Sequence, residues 1–277
     1  MTLATLKDVL QPAMTGGYAV GGLVCLGWED MRAYARAAEA EGLPVILQAG
    51  PSCRKHTPLP VLGAMFRKLA ESVSVPVVAH LDHGYTLEEC REALDAGFTS
   101  LMYDGSRLPL SQNIDETARI AEMAHAAGIS CEGEIGFVGY AAGEGSQGTD
   151  PEEAARFASE TGVDAMAISV GNVHLQQNHE GGLDEDRIRA IEAVTDLPLV
   201  IHGGSGVPVA QRAALARSSK IAKFNIGTEL RMAFGTALRA ALAADPERFD
   251  RVQILSEIEA PLQRAAQTVL RALAPAR

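Results

Sequence analysis

Aromatic residues are scarce in this chain of 277 residues, where they make up 5% of the composition and include a single tryptophan. Long apolar runs are also missing, since no stretch approaches the roughly 18 residues that a membrane-spanning helix requires. The first twenty residues lack the basic start and the uninterrupted apolar segment of a signal peptide. These absences argue against a membrane span and predict a cytoplasmic protein with no membrane partner.

Basic residues are outnumbered by acidic ones. The chain has 24 Lys and Arg against 35 Asp and Glu, which gives a formal net charge of −11 at pH 7. Proteins that bind nucleic acid neutralise the backbone phosphates with clustered Lys and Arg, and the sequence contains no such cluster. We therefore expect no nucleic-acid partner.

Cysteine is present in four copies that are far apart and include no CxxC pair, namely Cys25, Cys53, Cys90 and Cys131. This spacing favours neither a disulfide framework nor a thiolate zinc site. We interpret all four as reduced cysteines that serve as small apolar side chains.

The chain does contain a regular alternation of two patterns. Short apolar runs of strand length alternate with longer stretches whose apolar residues recur at helical spacing. Most of the short runs are apolar throughout, as parallel strands covered by helices on both faces must be. The eight candidate strands are Tyr18–Val24, Val45–Ala49, Val75–Leu81, Ser100–Tyr103, Ser130–Ile135, Asp164–Val170, Pro198–Ile201 and Ile221–Ile226.

The segments between these strands carry helix start signals. Thr86-Leu-Glu-Glu89 reads as a capping box, and Asp150-Pro151 places a cap before a first-turn proline. Eight units in 277 residues average about 35 residues each, the size of a (β/α)8 TIM barrel. We predict a single α/β barrel domain over residues 1–277, with an extra C-terminal helix at Leu255–Leu273. A doubly wound open sheet is the alternative, but no GxGxxG motif follows the first strand.

Polar residues and glycine-rich turns follow six successive predicted strands. The carboxyl ends of the strands of a TIM barrel meet at one rim, where the chemistry takes place. From the third strand to the eighth, the segments that reach this rim are His80-Leu-Asp82-His83-Gly84, Asp104-Gly-Ser106, Glu132-Gly-Glu134-Ile-Gly136, Gly171-Asn-Val-His174, His202-Gly-Gly-Ser205-Gly206 and Asn225-Ile-Gly-Thr228.

Three histidines, His83, His174 and His202, follow three different strands. A catalytic Zn²⁺ takes three protein ligands, often imidazoles, and leaves one position open for substrate. We therefore predict a catalytic zinc at these three side chains. His80 lies two residues before Asp82 and would share its face of a regular strand, opposite to His83, so we interpret His80 as a supporting residue.

Two glycine-rich turns, His202–Gly206 and Asn225–Thr228, each precede a predicted helix. Backbone N–H groups at helix N-termini bind anions. Barrel enzymes commonly hold a phosphate at the loops after strands seven and eight. The pair of turns therefore predicts a phosphate site.

Together these motifs resemble the class II, metal-dependent ketose-bisphosphate aldolases, the family of fructose- and tagatose-bisphosphate aldolases. The likeness covers nearly the whole chain, and its most specific part is the ordered pair Ala79-His-Leu-Asp-His-Gly84 and Ile201-His-Gly-Gly-Ser-Gly206. The other matching segments are Met102-Tyr-Asp-Gly-Ser106, Glu132-Gly-Glu-Ile-Gly136, Gly171-Asn-Val-His174 and Lys223-Phe-Asn-Ile-Gly-Thr-Glu-Leu230.

The resemblance implies a role for each matching side chain. Asp82 would be the acid/base that handles the aldehyde-derived hydroxyl, and Asp104 and Glu134 would line an alternative or second metal position, with Glu132 close behind. The zinc ligands would be His83, His174 and His202. The phosphate and hydroxyls of dihydroxyacetone phosphate would be held by Gly203, Ser205, Asn225 and Thr228.

The resemblance also implies the reaction. It is a reversible, zinc-dependent retro-aldol cleavage of a phosphorylated ketose to dihydroxyacetone phosphate, or a close analogue, and an aldehyde, through a metal-bound enediolate. In the family a glutamate on the loop after strand five exchanges the proton on the enediolate carbon. Glu144 is the only acid in Phe137–Gln147 and is the candidate here. The family further implies a homodimer or homotetramer, with the Leu255–Leu273 helix as a candidate contact.

The sequence departs from the family at four places. Near the first strand Val20-Gly21 replaces the usual Phe-Asn pair, and the loop after strand five reads Tyr140-Ala-Ala-Gly-Glu144 in place of the common Gly-Gly-acid-acid order. Leu175 follows His174 where members typically have a glycine that helps hold the phosphate and a monovalent cation, and the turn after strand two reads Gly50-Pro-Ser-Cys-Arg54. We therefore expect aldol chemistry on an altered ketose. The candidate cations for a distal anion are Arg54, Lys55 and Arg251.

Two other functions stay open at this point. One is a barrel metallohydrolase, since three histidines and an aspartate can also activate water. The other is a non-catalytic sugar-phosphate-binding subunit.

Overall fold

A closed barrel of parallel strands forms the centre of the protein, whose computed structural model describes residues 2–179 and 182–275. The strands are β1 (Leu3–Ala4), β2 (Val20–Val24), β3 (Val45–Ala49), β4 (Val77–Gly84), β5 (Ser100–Tyr103), β6 (Ser130–Ile135), β7 (Ala165–Ile168), β8 (Leu199–Ile201) and β9 (Ile221–Ile226). Strands β2 to β9 close on themselves, because β2 pairs with both β3 and β9, and β4 pairs with both β3 and β5. The (β/α)8 barrel prediction is confirmed, since an open doubly wound sheet would not close.

Strands β2, β7 and β8 are one to three residues shorter than predicted. Two further differences concern β1 and β4. The two-residue strand β1 was not predicted, and it pairs with β4 at the base of the barrel, with Leu3 opposite Val77. Strand β4 also extends past the predicted end at Leu81 to Gly84, because its pairing with β5 shifts register between these two residues. A β-bulge of this kind re-aims the side chains that follow it.

The helices are α1 (Leu6–Gly16), α2 (Trp28–Glu41), α3 (Pro51–His56), α4 (Leu59–Ala70), α5 (Leu87–Asp95), α6 (Leu110–Ala126), α7 (Pro151–Thr161), α8 (Glu185–Glu192), α9 (Val209–Ser218), α10 (Thr228–Ala244) and α11 (Arg251–Leu273). Among the residues that the structure describes, no helix is long and apolar enough to cross a membrane.

The predicted helix starts are found in the structure. The Thr86 hydroxyl accepts a hydrogen bond from the Glu89 main-chain N–H, and the Asp150 carboxylate accepts from the first turn of α7. The capping box at α5 is modified, because the Glu89 carboxylate accepts from the N–H of Tyr85. Each such cap stabilises its helix by about 1 kcal/mol.

Helix α1 fills the barrel interior at the amino-terminal ends of the strands. Leu6 and Leu10 are fully buried and belong to one apolar cluster with inward-facing strand residues such as Ile46, Val78 and Val200. Burial of a leucine side chain stabilises the fold by about 1.5–3 kcal/mol. Because α1 closes the amino-terminal end of the barrel, the only open mouth among the described elements is at the carboxyl ends of the strands.

The extra C-terminal helix is confirmed as α11, which begins four residues before the predicted start, at Arg251. The side chain of Asp250 caps it by accepting from the Gln253 N–H at 2.9 Å. Its apolar face, which includes Ile258, Leu262 and Val269, is buried, and the helix packs against α2 and α10 of the same chain.

Candidate metal centre and active site

Three histidines meet at the carboxyl-terminal mouth of the barrel. His83 comes from the bulge in β4, His174 from the loop after β7, and His202 from the end of β8. One ring nitrogen from each lies within 4.8 Å of the others. The structure therefore brings together the three side chains that the sequence named as zinc ligands.

The backbone at His83 is held in an uncommon conformation, with a φ of 55°. The Arg54 guanidinium lies beneath it and donates to the main-chain carbonyls of Asp82, at 2.7 Å, and of His83. Glu89 pairs with the same guanidinium. Arg54 was a candidate cation for a distal anion, but its side chain is buried and used to hold this bulge.

Two of the three imidazoles are oriented by hydrogen bonds to carboxylates. Asp104 Oδ2 lies 2.8 Å from Nδ1 of His83, and Glu132 Oε1 lies 3.1 Å from Nε2 of His202. Since a carboxylate can only accept, these nitrogens carry the protons and the opposite nitrogen of each ring is free to bind a metal. Metal-binding histidines are commonly oriented in this way.

Among the three histidines and the carboxylates that contact them, two buried atoms have no hydrogen-bond partner within the described part of the chain. They are Nδ1 of His202 and Oε2 of Glu134, which lie 3.3 Å apart. Buried polar atoms are rarely left unpaired, because each costs about 1–3 kcal/mol. An imidazole nitrogen and a carboxylate oxygen are both ligands of Zn²⁺, so the donor set fits a divalent ion.

The electrostatics of the site favour a positive charge near His202 and a neutral ring at His174. Burial lowers the pKa of His202, but Glu134 and Glu132 together outweigh burial and raise this pKa to about 10, so the two carboxylates stabilise a positive charge here, which a divalent ion held at Nδ1 would supply in place of a proton. Burial lowers the pKa of His174 to about 3, with further lowering by His83 and His202. A neutral imidazole is the form that binds a metal.

A second group of ligand atoms shares His83. His83, Asp104 and Glu134 also bring their ligand atoms within 4.8 Å of one another. The structure thus brings Asp104 and Glu134 together with His83, and a second or alternative metal position at these side chains stays a prediction.

Asp82 lies beside the histidines and lines the same cavity. Its Oδ1 accepts a hydrogen bond from the Asn225 amide at 3.2 Å. Burial raises the pKa of Asp82, but His83, His202 and Lys223 outweigh burial and lower it, so the carboxylate is ionised at neutral pH. The prediction of opposite faces for Asp82 and His83 assumed a regular strand, and the bulge lets both side chains reach the cavity.

A buried network supports the site from inside the barrel. Lys223 Nζ lies 2.7 Å from Oε2 of Glu132 and 3.1 Å from Nε2 of His80, and Ser100 Oγ lies 2.8 Å from Nδ1 of His80. His80 is thus a supporting residue, as expected. Lys223 was not singled out, although a lysine inside the apolar run Ile221–Ile226 was the signal that could have identified it.

The glycine-rich turns form the opposite wall of a cavity of about 310 Å³. Gly203 has a φ of 62°, and a Cβ there would lie 2.2 Å from the Val173 carbonyl oxygen, so glycine is required. Ser205 Oγ accepts from the N–H groups of Gly227 and Glu229 at the start of α10. The four predicted phosphate-site residues, Gly203, Ser205, Asn225 and Thr228, all line this cavity.

The loop after β6 places its residues differently from the expectation. Glu144 points away from the cavity: its side chain is 60% exposed and pairs with Arg107 at 2.7 Å. Tyr140 instead lines the cavity and stacks on His174, with ring centroids 5.0 Å apart. Tyr140 was given no role from the sequence, although Tyr140-Ala-Ala-Gly-Glu144 in place of the family's Gly-Gly-acid-acid order was the signal that this loop differs.

Comparisons with known proteins agree with this geometry. The family model "Fructose-bisphosphate aldolase class-II" matches residues 4–276. A fructose-bisphosphate aldolase of Geobacillus stearothermophilus is 38% identical over 264 residues, covering 92% of this chain and 91% of that protein. A 6-phospho-5-dehydro-2-deoxy-D-gluconate aldolase of Shouchella clausii is 37% identical over 278 residues, covering 96% of this chain and 93% of that protein.

Solved structures show the same fold. The crystal structure of the YdjI aldolase from Escherichia coli K12 has a TM-score of 0.84 and 27% sequence identity, and the match covers 99% of this chain and 98% of that one. The barrel, the cluster of three histidines at its mouth and these relatives together identify the protein as an aldolase, a carbon–carbon lyase. The chain belongs to the class II fructose-bisphosphate aldolase family.

Proposed function

We propose that this aldolase is zinc-dependent and cleaves a phosphorylated ketose to dihydroxyacetone phosphate, or a close analogue, and an aldehyde. The observation that carries the proposal is the convergence of His83, His174 and His202, together with the unpaired Nδ1 of His202 and the unpaired Oε2 of Glu134 beside it. The glycine turns on the facing wall supply a place for the phosphate.

The three histidines would hold the catalytic ion, and Asp104 with Glu134 would serve a second divalent position. When bound, such an ion supplies Lewis-acid stabilisation for negative charge that develops next to a ketone. No lysine Schiff base is then needed. This agrees with the use of Lys223, which is fully buried against Glu132 and His80.

Asp82 is the acid/base at the bond that breaks. An ionised carboxylate in the cavity can take the proton from the C4 hydroxyl as the C3–C4 bond breaks, and can return it during condensation. The Asn225 amide holds Oδ1 in place, so the second oxygen, Oδ2, is available for the substrate.

The phosphate end of the substrate would lie against the turn at Gly203 and the start of α10. The first peptide groups of a helix carry free N–H donors and the positive end of the helix dipole, which bind phosphate. Ser205, Asn225 and Thr228 add polar side chains to this wall.

Acidic surface charge and the family assignment agree with a cytoplasmic enzyme, and self-association as a homodimer or homotetramer stays a prediction.

The test is a cleavage assay on a panel of ketose phosphates with detection of dihydroxyacetone phosphate. Fructose 1,6-bisphosphate, tagatose 1,6-bisphosphate and 6-phospho-5-dehydro-2-deoxy-D-gluconate would be compared before and after metal removal with a chelator. We expect turnover of at least one sugar phosphate, loss of turnover on chelation, and recovery on addition of Zn²⁺. Turnover that survives complete metal removal would overturn the proposal.

A further inference from the structure

The aldol reaction needs two proton transfers, and Asp82 accounts for one of them. After cleavage the electron pair of the broken bond stays on C3 of the ketone fragment, and a second group must supply a proton there. This argument rests on the proposed function. The candidates in the loop between β6 and α7 are Glu144 and Tyr140.

The loop is a docked structure with defined main-chain contacts. The N–H of His174 donates to the carbonyl of Gly139 at 2.8 Å, and the N–H of Ala141 donates to the carbonyl of His174 at 3.0 Å. These two hydrogen bonds flank Tyr140 and fix its main chain beside a residue of the histidine cluster. Its ring stacks on the His174 imidazole with an interplanar angle of 30°.

Glu144 occupies the other side of the same loop. Its carbonyl accepts from the N–H of Tyr140 at 3.1 Å, which closes the turn, while its carboxylate pairs with Arg107. The Arg107 guanidinium in turn lies 4.2 Å from the ring centre of Phe137. Glu144 therefore lies in a groove next to the active-site cavity, and it would have to give up the Arg107 pair and rearrange the turn to enter.

We propose that Tyr140, not Glu144, is the catalytic residue of this loop and that its hydroxyl supplies the proton to C3. Tyr140 lines the cavity together with Asp82, His83 and His174. A tyrosine hydroxyl is an O–H donor, the kind of group that protonation of C3 requires.

The electron pair left on C3 by cleavage forms a new C–H bond with the hydroxyl proton of Tyr140, and the O–H electrons stay on the phenolate oxygen. Tyr140 is 42% exposed at the mouth of the cavity, so water returns a proton to the phenolate. Asp82 releases the proton that it took from the C4 hydroxyl to solvent, and neither residue changes overall.

The test compares Tyr140→Phe, which keeps the ring and its stacking on His174, with Glu144→Gln as the matched variant on the same loop. Three quantities are measured for each variant. They are the zinc bound per chain, the exchange with D₂O of a hydroxymethyl proton of dihydroxyacetone phosphate (on C3 in the ketose numbering) by NMR, and the reduction of hexacyanoferrate(III) during ketose cleavage. The reduction of hexacyanoferrate(III) reports carbanion formation and does not depend on the protonation step.

We expect Tyr140→Phe to lower proton exchange by about 100-fold, a typical effect of removing an acid/base group, while zinc content and hexacyanoferrate reduction stay within about twofold of the wild-type values. Glu144→Gln should change none of the three by more than about twofold. Normal exchange in Tyr140→Phe, or loss of exchange confined to Glu144→Gln, would overturn the inference. A wild-type protein that neither exchanges this proton nor cleaves any sugar phosphate would overturn the proposed function itself.

Discussion

His202 and Glu132 are joined by a hydrogen bond of 3.1 Å between Nε2 and Oε1, deep inside the barrel. Both side chains are fully buried, and the other oxygen of Glu132 accepts from Lys223. The bond leaves Nδ1 of His202 as the atom that faces the cluster of histidines. Glu132 is thus kept ionised: burial raises its pKa, but Lys223, His202 and His80 together outweigh burial and lower it.

The first prediction concerns this pair. In Glu132→Gln the amide presents a weaker and uncharged partner to His202 and leaves Lys223 without its counter-charge. We expect zinc affinity to fall by about 10–100-fold, the usual effect of removing an orienting partner of a metal ligand. Zinc retained per chain at increasing chelator concentration measures this. Glu160→Gln on the exposed face of α7 is the control, and equal zinc retention in both variants would contradict the prediction.

A second prediction concerns Arg54, whose guanidinium holds the carbonyls of Asp82 and His83. Arg54→Ala removes these hydrogen bonds and leaves Glu89 without its partner. We expect the free energy of unfolding to fall by about 3 kcal/mol or more, since two hydrogen bonds to a charged group are lost and each contributes about 1.5–3 kcal/mol. Urea denaturation measures this loss.

Turnover of Arg54→Ala should also fall, by at least about 10-fold, because Asp82 and His83 lose the support of their backbone. Lys68→Ala, an exposed lysine of α4 with no assigned role, is the control. If the two variants were equally stable and active, the structural role assigned to Arg54 would be wrong.

The third prediction separates the metal ligands from the acid/base. His174→Ala and His202→Ala should lose both bound zinc and turnover. Asp82→Asn should keep zinc and lose turnover by about 100-fold or more, because the amide cannot accept the C4 proton. Zinc analysis and a cleavage assay on the same preparations measure the split. Zinc content unchanged in the histidine variants would exclude these residues as the ligands.

Much of this site could be predicted from the sequence, since residues at the carboxyl ends of barrel strands meet at one rim. His83, His174 and His202 could therefore be grouped although their strands are far apart in the chain. What the sequence did not reveal depends on local geometry. A one-residue bulge after Leu81 decided where Asp82 and His83 point, and loop hydrogen bonds decided that Tyr140 faces the cavity while Glu144 faces Arg107.

The fourth prediction concerns pH and His80. Burial lowers the pKa of His80 to about 3, with a further contribution from Lys223. Between pH 6.5 and 3 the unfolded chain therefore binds a proton at this histidine that the folded chain does not, so stability falls as the pH decreases through this window. Urea denaturation midpoints at several values between pH 6.5 and 4.5, above most carboxyl titrations, should fall more steeply in wild type than in His80→Gln. Parallel profiles would contradict a neutral His80.

The last prediction concerns Leu175, which follows His174 and has a φ of 58°. The left-handed conformation costs a residue with a Cβ about 1–2 kcal/mol, and glycine adopts it freely. Leu175 is half exposed and lines the cavity beside Gly203 and Ser205, so its side chain also occupies space next to the proposed phosphate site.

In Leu175→Gly we expect the free energy of unfolding to rise by about 1 kcal/mol. We also expect KM for the best ketose phosphate to fall several-fold while kcat changes little, because the change affects binding at the phosphate end and leaves Asp82 untouched. Leu175→Ala, which keeps the Cβ but removes the bulk, distinguishes the two effects: it should lower KM without the gain in stability. A higher KM in both variants would show that the leucine contributes to substrate binding.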